Sequence, residues 1–269
     1  MDSAFKGGQV DRFYNAWRKR MSVTNQSNLV DQSFWNNNYT RAVLQPPAEH
    51  NQVQPWYEKH IPGGPGSCLE IGCFPGQFLA AFGAMGYEIN GVDLTPRTKS
   101  DMLPWLESLG YPIGEIYEGD FFKFDPGKQF DLVASFGFIE HFPDWDRVLQ
   151  MHMDFVAPGG YLVISVPNFR GFVQKALHYM LDKENYDRHV ISAMAPEKWR
   201  VQLEGDGFEI LESGYFSAFS FWTEDDGQNL LQRGAAKVVR YMTPTLSRLL
   251  PKNQPAYAPY CGVVARRQG

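Results

Sequence analysis

A chain of 269 residues with 43% hydrophobic and 20% charged residues has the composition of a globular domain, which excludes a disordered or fibrous protein. Its formal net charge of −5 argues against a broad cationic surface, so we expect no nucleic-acid partner. The three cysteines lack paired spacing and no stretch approaches the roughly 20 apolar residues of a membrane span, so we expect a cytoplasmic protein without disulfides or a transmembrane segment.

The first 60 residues form a polar and aromatic lead-in without a fold signature. Asparagines cluster around Trp35, and we expect short helices joined by loops. Prolines and glycines at 61–66 then punctuate the chain, and an apolar strand-like run follows at once. We therefore predict a helical lead-in or lid over 1–60 and a main domain over 61–269.

From Ser67 onward, strand-like runs alternate with segments of helical spacing. The predicted strands are SCLEIG, YEINGVD, IGEIYEGD, FDLVASFG, YLVISVPN, FEILESGYF and YCGVVARR. The predicted helices are GQFLAAFGAMG, PRTKSDMLPWLESLG, DWDRVLQMHMDFV and a segment at about 196–205. We expect the third of these helices to end at APGG, which follows it directly. Right-handed crossovers between such units give a parallel sheet that is covered on both faces.

Two segments, at about 169–195 and 218–256, interrupt this alternation and are interpreted as insertions. Both follow strands, where the loops of open α/β folds usually form binding sites, so we expect them to recognise substrate. The second contains QNLLQRGAAKVVRYMTPTLSRLL, whose apolar residues fall along one side of a helix. That helix either covers the pocket, packs in the core, or contacts a partner or a membrane surface.

A glycine-punctuated turn follows the first predicted strand, in LEIGCFPGQF at 69–78. Gly72 and Gly76 lack a Cβ, so the backbone can bend tightly there and a ligand can approach it closely. The spacing G-x-x-x-G, preceded by Glu70, differs from the G-x-G-x-x-G pattern of dinucleotide enzymes. The turn therefore predicts a ligand site that is not a pyrophosphate cradle.

Two acidic residues end the next strands. Asp93 ends the second strand, where a carboxylate can accept hydrogen bonds from both ribose hydroxyls. Asp120 ends the third strand and can accept from an adenine amino group while Phe121 covers the ring. Asp120 is equally suited to a helix N-cap or a turn. Together the acids and the glycine turn favour a nucleoside ligand.

At these residues the sequence resembles the class I S-adenosylmethionine-dependent methyltransferases. LEIGCFPG, GVD, EGDFF and APGGYLVISVPN follow the family's order and approximate spacing over about 67–215, and the last strand also matches. The resemblance implies an α/β fold with a Rossmann-like seven-stranded sheet, whose last strand is antiparallel, and helices on both faces. It implies S-adenosyl-L-methionine as cofactor and a set of cofactor-binding residues: Glu70, Gly72, Cys73, Gly76, Asp93, Leu94, Asp120, Phe121, Ser135 and Phe136.

Methyl transfer to a hydroxyl or a protonated amine requires a base, and histidine is the usual candidate. His141 follows the fourth strand and His189 lies in the first insertion, so both are predicted catalytic residues. His141 is equally suited to packing among aromatic residues at a helix start, whereas a solvated loop is the default environment of an insertion residue such as His189. The neighbours of His189 form a predicted substrate-binding cluster: Asn185, Tyr186 and Asp187.

Some family members hold a divalent metal through an E-x-x-E-H segment, which Glu140 and His141 resemble. Gly137 stands where the first glutamate would be, so we expect no metal site. The chain is thus predicted to methylate a small-molecule or glycan-precursor acceptor, most readily at oxygen, and a homo-oligomer is left open. The alternatives are an NAD-dependent oxidoreductase and a catalytically silent binding module with a methyltransferase-like pocket.

Overall fold

The computed structural model describes residues 29–48, 51–224 and 227–269, and within them seven strands form one sheet. The strands are β1 Gly66–Ile71, β2 Tyr87–Asp93, β3 Ile113–Glu118, β4 Phe130–Phe136, β5 Val156–Pro167, β6 Phe208–Phe216 and β7 Tyr260–Arg267. Their order is β3-β2-β1-β4-β5-β7-β6. The first five are parallel, and β7 runs antiparallel to both β5 and β6. The predicted seven-stranded sheet with a reversed last strand is confirmed.

Helices connect the strands and cover both faces of the sheet. They are α1 Gln32–Asn38, α2 Gln54–Glu58, α3 Gln77–Ala84, α4 Leu103–Ser108, α5 Trp145–Asp154, α6 Phe172–Leu181, α7 Lys183–Asp187, α8 Pro196–Gly205 and α9 Leu230–Leu249. Single helical turns cover Tyr39–Arg41, Thr98–Met102, Phe121–Lys123, Ile139–His141 and Ile191–Ala193. The proline that opens α8 fits the first helical turn, where its missing N–H has no intrahelical partner.

The segment APGG does not form a stop between α5 and the fifth strand, as the sequence predicted. It lies within β5, because Val156 already pairs with Phe130 of β4. The register between β4 and β5 then shifts, and regular pairing resumes where Leu132 meets Tyr161. The four residues therefore form an irregularity inside the strand, where the extra residues are accommodated without ending the pairing.

The side chains of the sheet supply two hydrophobic cores, one on each face. In β1, Leu69 and Ile71 enter the core that α5 and α8 cover, whereas Cys68 enters the core covered by α2, α3 and α4. Alternation along the strand produces this division. Burial on both faces explains the apolar runs LVASF of β4 and YLVISV of β5, which lie near the centre of the sheet.

Helix α9 belongs to a third, smaller cluster in which Ala236 packs near Phe219 and Phe221. Its partly buried neighbours include Val173 and Leu177 of α6.

In the described part of the chain, helix α9 contributes no side chain to the cleft wall. Only Ala236 of this helix is buried, whereas Leu230, Leu231 and Val238 are exposed. The pocket-lid interpretation is therefore wrong, and packing in the core accounts for only a small part of the apolar face, so contact with a partner or a membrane surface stays open. Among the described helices, none combines the length and apolar character needed to cross a membrane.

Candidate functional site

A cleft with an empty volume of about 790 Å³ opens at the carboxyl ends of β1, β2 and β4. It includes the point where the strand order reverses between β1 and β4, which is where open α/β sheets bind ligands. The wall consists of the following residues: Val30, Gln32, Trp35, Tyr39, Gly72, Phe74, Val92, Asp93, Leu94, Gly119, Asp120, Phe121, Phe122, Phe136, Gly137, Phe138, His141 and Phe142.

The glycine turn after β1 forms the floor of this cleft. Gly72 has φ of +71°, and a Cβ there would stand 2.6 Å from Cδ2 of Phe138. Gly76 has φ of +87°, and a Cβ there would stand 2.8 Å from Cγ of Met102. Both positions therefore require glycine on conformational and steric grounds. Gly72 lines the cleft, whereas Gly76 lies behind it at the start of α3.

Asp93 presents its carboxylate in the cleft wall at the end of β2. Its Oδ2 accepts a hydrogen bond from the Phe74 N–H at 3.1 Å, and its Oδ1 accepts one from the Thr95 N–H at 2.9 Å. Burial raises the pKa of Asp93 to about 6, and the backbone hydrogen bonds oppose this shift. The neighbouring Leu94 also lines the cleft. A carboxylate fixed by two amides retains lone pairs that can accept from ligand hydroxyls.

Asp120 and Phe121 also lie in the wall, after β3. The Asp120 Oδ1 accepts a hydrogen bond from the Phe122 N–H at 3.0 Å and so caps the turn Phe121–Lys123. Asp120 therefore caps this turn and also lies in the cleft wall, so the two predicted roles do not exclude each other. The Phe121 ring is buried edge-on against Phe138, with 5.5 Å between ring centroids.

Ser135 and Phe136 are neighbours on β4 and face opposite sides of the sheet. Phe136 lines the cleft and stacks on Phe78, with ring centroids 3.8 Å apart. The Ser135 hydroxyl instead lies 3.0 Å from Nε2 of His152 in the core. Strand alternation thus separates two residues that the sequence placed together.

Glu70 and Cys73 lie behind the cleft wall. Burial raises the pKa of the Glu70 carboxyl well above its ordinary value, and the nearby Asp93 adds to this shift. The Glu70 Oε2 has no hydrogen-bond partner among the described residues. Cys73 packs against the β2 backbone, since a Cβ on Gly91 would stand 2.7 Å from its Sγ. Both residues support the glycine turn from inside the protein.

The two predicted catalytic histidines come together at one end of the cleft, with ring centroids 4.8 Å apart. His141 lines the cleft, and its Nδ1 lies 3.0 Å from the carbonyl oxygen of Arg188. The Nδ1 of His189 lies 2.6 Å from the carbonyl oxygen of Asn185. Burial lowers the pKa of His141 to about 4 and lowers that of His189 well below its ordinary value. Both imidazoles are therefore neutral near pH 7.

Glu140 lies beside the histidines and is completely buried. Neither of its carboxylate oxygens has a hydrogen-bond partner in the described part of the chain. Burial raises the pKa of Glu140 to about 8. Its Oε1 is 4.0 Å from Nε2 of His141, and one ligand atom from each of Glu140, His141 and His189 lies within 4.8 Å of the others.

The predicted substrate cluster lies outside the cleft wall. Asn185 is buried and donates from Nδ2 to Oδ2 of Asp182 at 2.9 Å. Tyr186 is partly buried, with its ring stacked against Phe169. Asp187 is exposed and pairs with Lys183. None of these three residues belongs to the cleft wall described above. The backbone carbonyl of Asn185 contacts His189 Nδ1.

An aromatic wall at the cleft escaped the sequence reasoning. Trp35 and Tyr39 come from the lead-in and stack on each other, with ring centroids 5.7 Å apart. The Tyr39 ring lies 4.8 Å from that of Phe74, and the Arg97 guanidinium lies 5.2 Å from the Phe74 centroid. The density of aromatic residues around Trp35 was the available signal, but only tertiary packing places them here.

Residues 17–213 match a family model described as a methyltransferase domain. The chain is 28% identical over 117 residues to the ubiquinone biosynthesis O-methyltransferase of Thiobacillus denitrificans, covering 42% of this chain and 49% of that protein. It is 32% identical over 103 residues to the protein of the same name from Chromobacterium violaceum, covering 37% and 44% respectively. The chain spans about half the length of the curated relatives it matches.

Solved structures share the fold over most of the chain. A SAM-dependent methyltransferase from Thiobacillus denitrificans, in complex with S-adenosyl-L-homocysteine, has a TM-score of 0.57 at 14% identity and covers 89% of this chain and 99% of its own. A SAM-dependent methyltransferase from Archaeoglobus fulgidus has a TM-score of 0.52 at 23% identity, with coverages of 88% and 100%. At these identities the likeness concerns the fold.

Proposed function

The chain belongs to the methyltransferase-domain family, and from this premise we propose that it transfers the methyl group of S-adenosylmethionine to a hydroxyl oxygen of a small-molecule or glycan-precursor acceptor. The observation that carries the proposal is the Asp93 carboxylate, fixed by two backbone amides beside the glycine turn. Such a carboxylate suits the two hydroxyls of a ribose. Oxygen as the methylated atom is supported by the curated relatives, which are named O-methyltransferases.

The cleft residues fit the parts of this cofactor. Gly72 would leave room for the methionine part, Asp93 and Leu94 would bind the ribose, and Asp120 with Phe121 would bind the adenine. Phe136 would cover the opposite side of the cofactor. The other predicted binding residues shape the turn and strand from behind the wall: Glu70, Cys73, Gly76 and Ser135.

The methyl donor supplies an electrophilic methyl group on a positively charged sulfur when it is bound. The chain's own task is to align an acceptor oxygen with that group and to exclude water. Trp35, Tyr39 and Phe138 serve this task, because their rings line the cleft. The proposed role of the lead-in is therefore that of a lid.

His141 and His189 are the proposed catalytic residues and assist removal of the acceptor hydroxyl proton. Each ring is oriented by a hydrogen bond between its Nδ1 and a backbone carbonyl, which accepts only. The Nδ1 atoms therefore carry the protons, and each Nε2 keeps a lone pair that can accept a proton. Asn185 orients His189 through its carbonyl, and Tyr186 and Asp187 stay predicted substrate contacts at its outer side.

Calorimetric titration with S-adenosylhomocysteine, with NAD as the control ligand, tests the cofactor assignment. We expect saturable binding of S-adenosylhomocysteine alone. Replacing Asp93→Ala should weaken it at least about tenfold, because a hydrogen bond to a charged group contributes about 1.5–3 kcal/mol. The matched control is Asp206→Ala, which removes an exposed carboxylate outside the cleft. Binding of NAD, or an Asp93→Ala protein with unchanged affinity, would contradict the proposal.

Transfer of a labelled methyl group to a panel of small phenols, sugars and amines tests the acceptor assignment. We expect the label on oxygen. The His141→Ala and His189→Ala variants should lose methyl transfer to a greater extent than they lose affinity for the cofactor. Label found only on nitrogen would contradict methylation at oxygen. Cofactor binding without transfer to acceptors in an extract of the native host would favour the silent binding module instead.

A further inference from the structure

A row of mostly apolar side chains along helix α9 faces solvent. Its first and last members, Leu231 and Leu249, are 86% and 76% exposed. The members follow one another at intervals of three or four residues, which places them on one side of the helix. This outer row consists of Leu231, Ala235, Val238, Met242, Thr245 and Leu249, all of them exposed. Large exposed apolar patches on proteins mark sites that bind a partner or a membrane.

The inner side of α9 fixes this row in place. Ala236 is buried in the third cluster, and Val239 and Leu246 pack against it. The Gln232 Nε2 donates to the carbonyl oxygen of Met180, near the end of α6, at 2.9 Å. Because these contacts occupy the inner side of the helix, the outer row is a preformed surface that is presented to solvent.

Helix α6, which packs beside α9, adds exposed apolar side chains of its own. Phe172, Tyr179 and Met180 are 80%, 54% and 57% exposed. Met180 lies next to the first turn of α9, because its carbonyl oxygen accepts the hydrogen bond from Gln232. We call these three residues, together with the outer row of α9, the α6–α9 face.

The charge on these two helices is opposite in sign to that of the whole chain. Neither helix contains aspartate or glutamate, although the chain has a formal net charge of −5. Their basic residues are Lys175, Arg233, Lys237, Arg240 and Arg248. Arg233 and Lys237 are exposed one turn apart, where like charges destabilise a helix slightly. A negatively charged surface against this side of α9 would offset that repulsion.

We propose that the α6–α9 face binds the surface of a membrane that contains anionic phospholipid, with α9 lying in the plane of the interface. A basic amphipathic helix in that position buries its apolar side at the boundary of the headgroups and acyl chains. Lys237 and Arg248 each precede a member of the outer row and so stand at its edge, where their long side chains can reach the lipid phosphates. Each Lys or Arg near an anionic leaflet strengthens binding about fivefold.

A second copy of the chain complements this face less well. A two-fold pair of chains apposes the same surface on both subunits. Since neither helix carries a carboxylate side chain, the basic residues of one copy would meet those of the other. A bilayer with anionic headgroups provides the opposite charge along the whole helix. No residue of α6 or α9 lies in the cleft wall that the described residues form, so this proposal does not rest on the proposed function.

Flotation of the full chain with phospholipid vesicles, at increasing lipid concentration, tests the membrane contact. We expect binding to vesicles of mixed phosphatidylglycerol and phosphatidylcholine, and much weaker binding to phosphatidylcholine alone. Binding should weaken between about 0.1 M and about 1 M salt, because the Debye length falls from about 10 Å to about 3 Å. The double variant Arg233→Gln/Lys237→Gln should weaken binding about 20-fold. Its control, Lys99→Gln/Arg200→Gln, makes the same change in net charge at exposed residues outside the α6–α9 face and should bind as the unmodified chain does.

The apolar contribution is tested by a second pair of variants. Leu231→Gln/Leu249→Gln should weaken binding about tenfold or more, since burial of one leucine side chain alone contributes that much. The matched control, Val43→Gln/Val201→Gln, removes two exposed apolar side chains outside the α6–α9 face and should leave binding unchanged. Circular dichroism confirms that each variant is folded.

Absence of binding to the anionic vesicles, or binding that both α9 variants leave unchanged, would overturn the membrane contact. Equal affinity for phosphatidylcholine alone would contradict the role of the basic residues. Light scattering of the chain without lipid measures self-association in parallel. A dimer that Leu231→Gln/Leu249→Gln abolishes, found together with no vesicle binding, would assign the face to a second copy and refute the proposal.

Discussion

The charge on Asp93 couples cofactor binding to pH. Its pKa is raised to about 6 by burial, and hydrogen bonds from ribose hydroxyls would favour the ionised form. Protonation therefore competes with binding as the pH falls through about 6. We expect the affinity for S-adenosylhomocysteine to be constant above about pH 7 and to weaken by about tenfold per unit well below pH 6. Calorimetry between pH 5 and pH 8 measures this dependence.

Asp93→Asn is the matched control, because an amide of the same shape does not titrate. Its affinity should be low throughout and flat across the range, and a flat profile for the unmodified chain would contradict the assignment. The free energy of unfolding should change with pH in the direction opposite to the cofactor affinity. The folded pKa exceeds the ordinary 3.8, so the folded state holds the proton more tightly. The free energy of unfolding that Asp93 contributes then falls as pH rises from about 4 to about 6.

The glycine at the cleft floor carries two constraints that substitution can separate. Gly72→Ala should place a Cβ against Phe138 and also put alanine in a left-handed conformation. Gly110 has φ of +76° and no atom within 4 Å of where a Cβ would lie, so Gly110→Ala carries only the conformational constraint. The conformational term costs about 1–2 kcal/mol in either variant. We expect Gly72→Ala to lose more stability than Gly110→Ala in urea unfolding, and it alone to weaken cofactor binding. Equal losses would show that the Phe138 contact is unimportant.

The sequence predicted the cleft residues that stand at strand ends. Asp93 and Phe121 were found because parallel strands bring their carboxyl ends to one edge, whatever the rest of the fold does. Ser135 was misplaced because a one-residue step along a strand reverses the side chain. The contact between His141 and His189 could not be predicted, since it depends on how an insertion packs back onto the sheet.

At the level of elements, strand boundaries were the best predicted feature. The runs YEINGVD and YCGVVARR coincide with β2 and β7. The segment APGG was misjudged because glycine and proline usually end an element, whereas pairing with β4 continues across them here. Amphipathic spacing predicted helix α9 but not which surface it would pack against.

Helix α9 begins with a capping box, and its stability should depend on Asn229. The Asn229 side chain accepts from the Gln232 N–H, and the Gln232 side chain accepts from the Asn229 N–H, both at 3.0 Å. Asn229→Ala removes one bond and should cost about 1 kcal/mol of helix stability, whereas Asn229→Asp should retain most of it. Hydrogen exchange of the α9 amides measures the difference. Equal protection in both variants would contradict a capping role.

At the level of the whole molecule, the two cores and the cleft depend on one sheet. The alternation of strands and helices predicted its parallel part, whereas the reversed β7 followed only from family resemblance. Alternation carries no information on the direction of a strand that returns after a long insertion. The division into a lead-in over 1–60 and a main domain over 61–269 stays a prediction, although Trp35 and Tyr39 join the cleft wall of that domain.

The three cysteines offer a probe of global unfolding. Cys68, Cys73 and Cys261 are free and buried, and burial raises the pKa of each thiol. We expect an aromatic disulfide reagent to react with none of them in the native protein and with all three in denaturant. Saturating S-adenosylhomocysteine should slow the reaction under mildly denaturing conditions. Rapid reaction of Cys73 alone would instead show that the glycine turn opens without unfolding of the sheet.

The position of β7 between β5 and β6 also affects the order in which the chain can fold during synthesis. Within the described sheet β6 pairs with β7, which comes later in the chain. Strand β6 is therefore synthesised before the strand that it pairs with. At about 5–20 residues per second the interval lasts roughly two to nine seconds. During it the edge of β5 stays open and β6 is exposed to pairing with other nascent chains. Translation speed through the second insertion, and chaperones that cover β6, should therefore control the yield of folded protein.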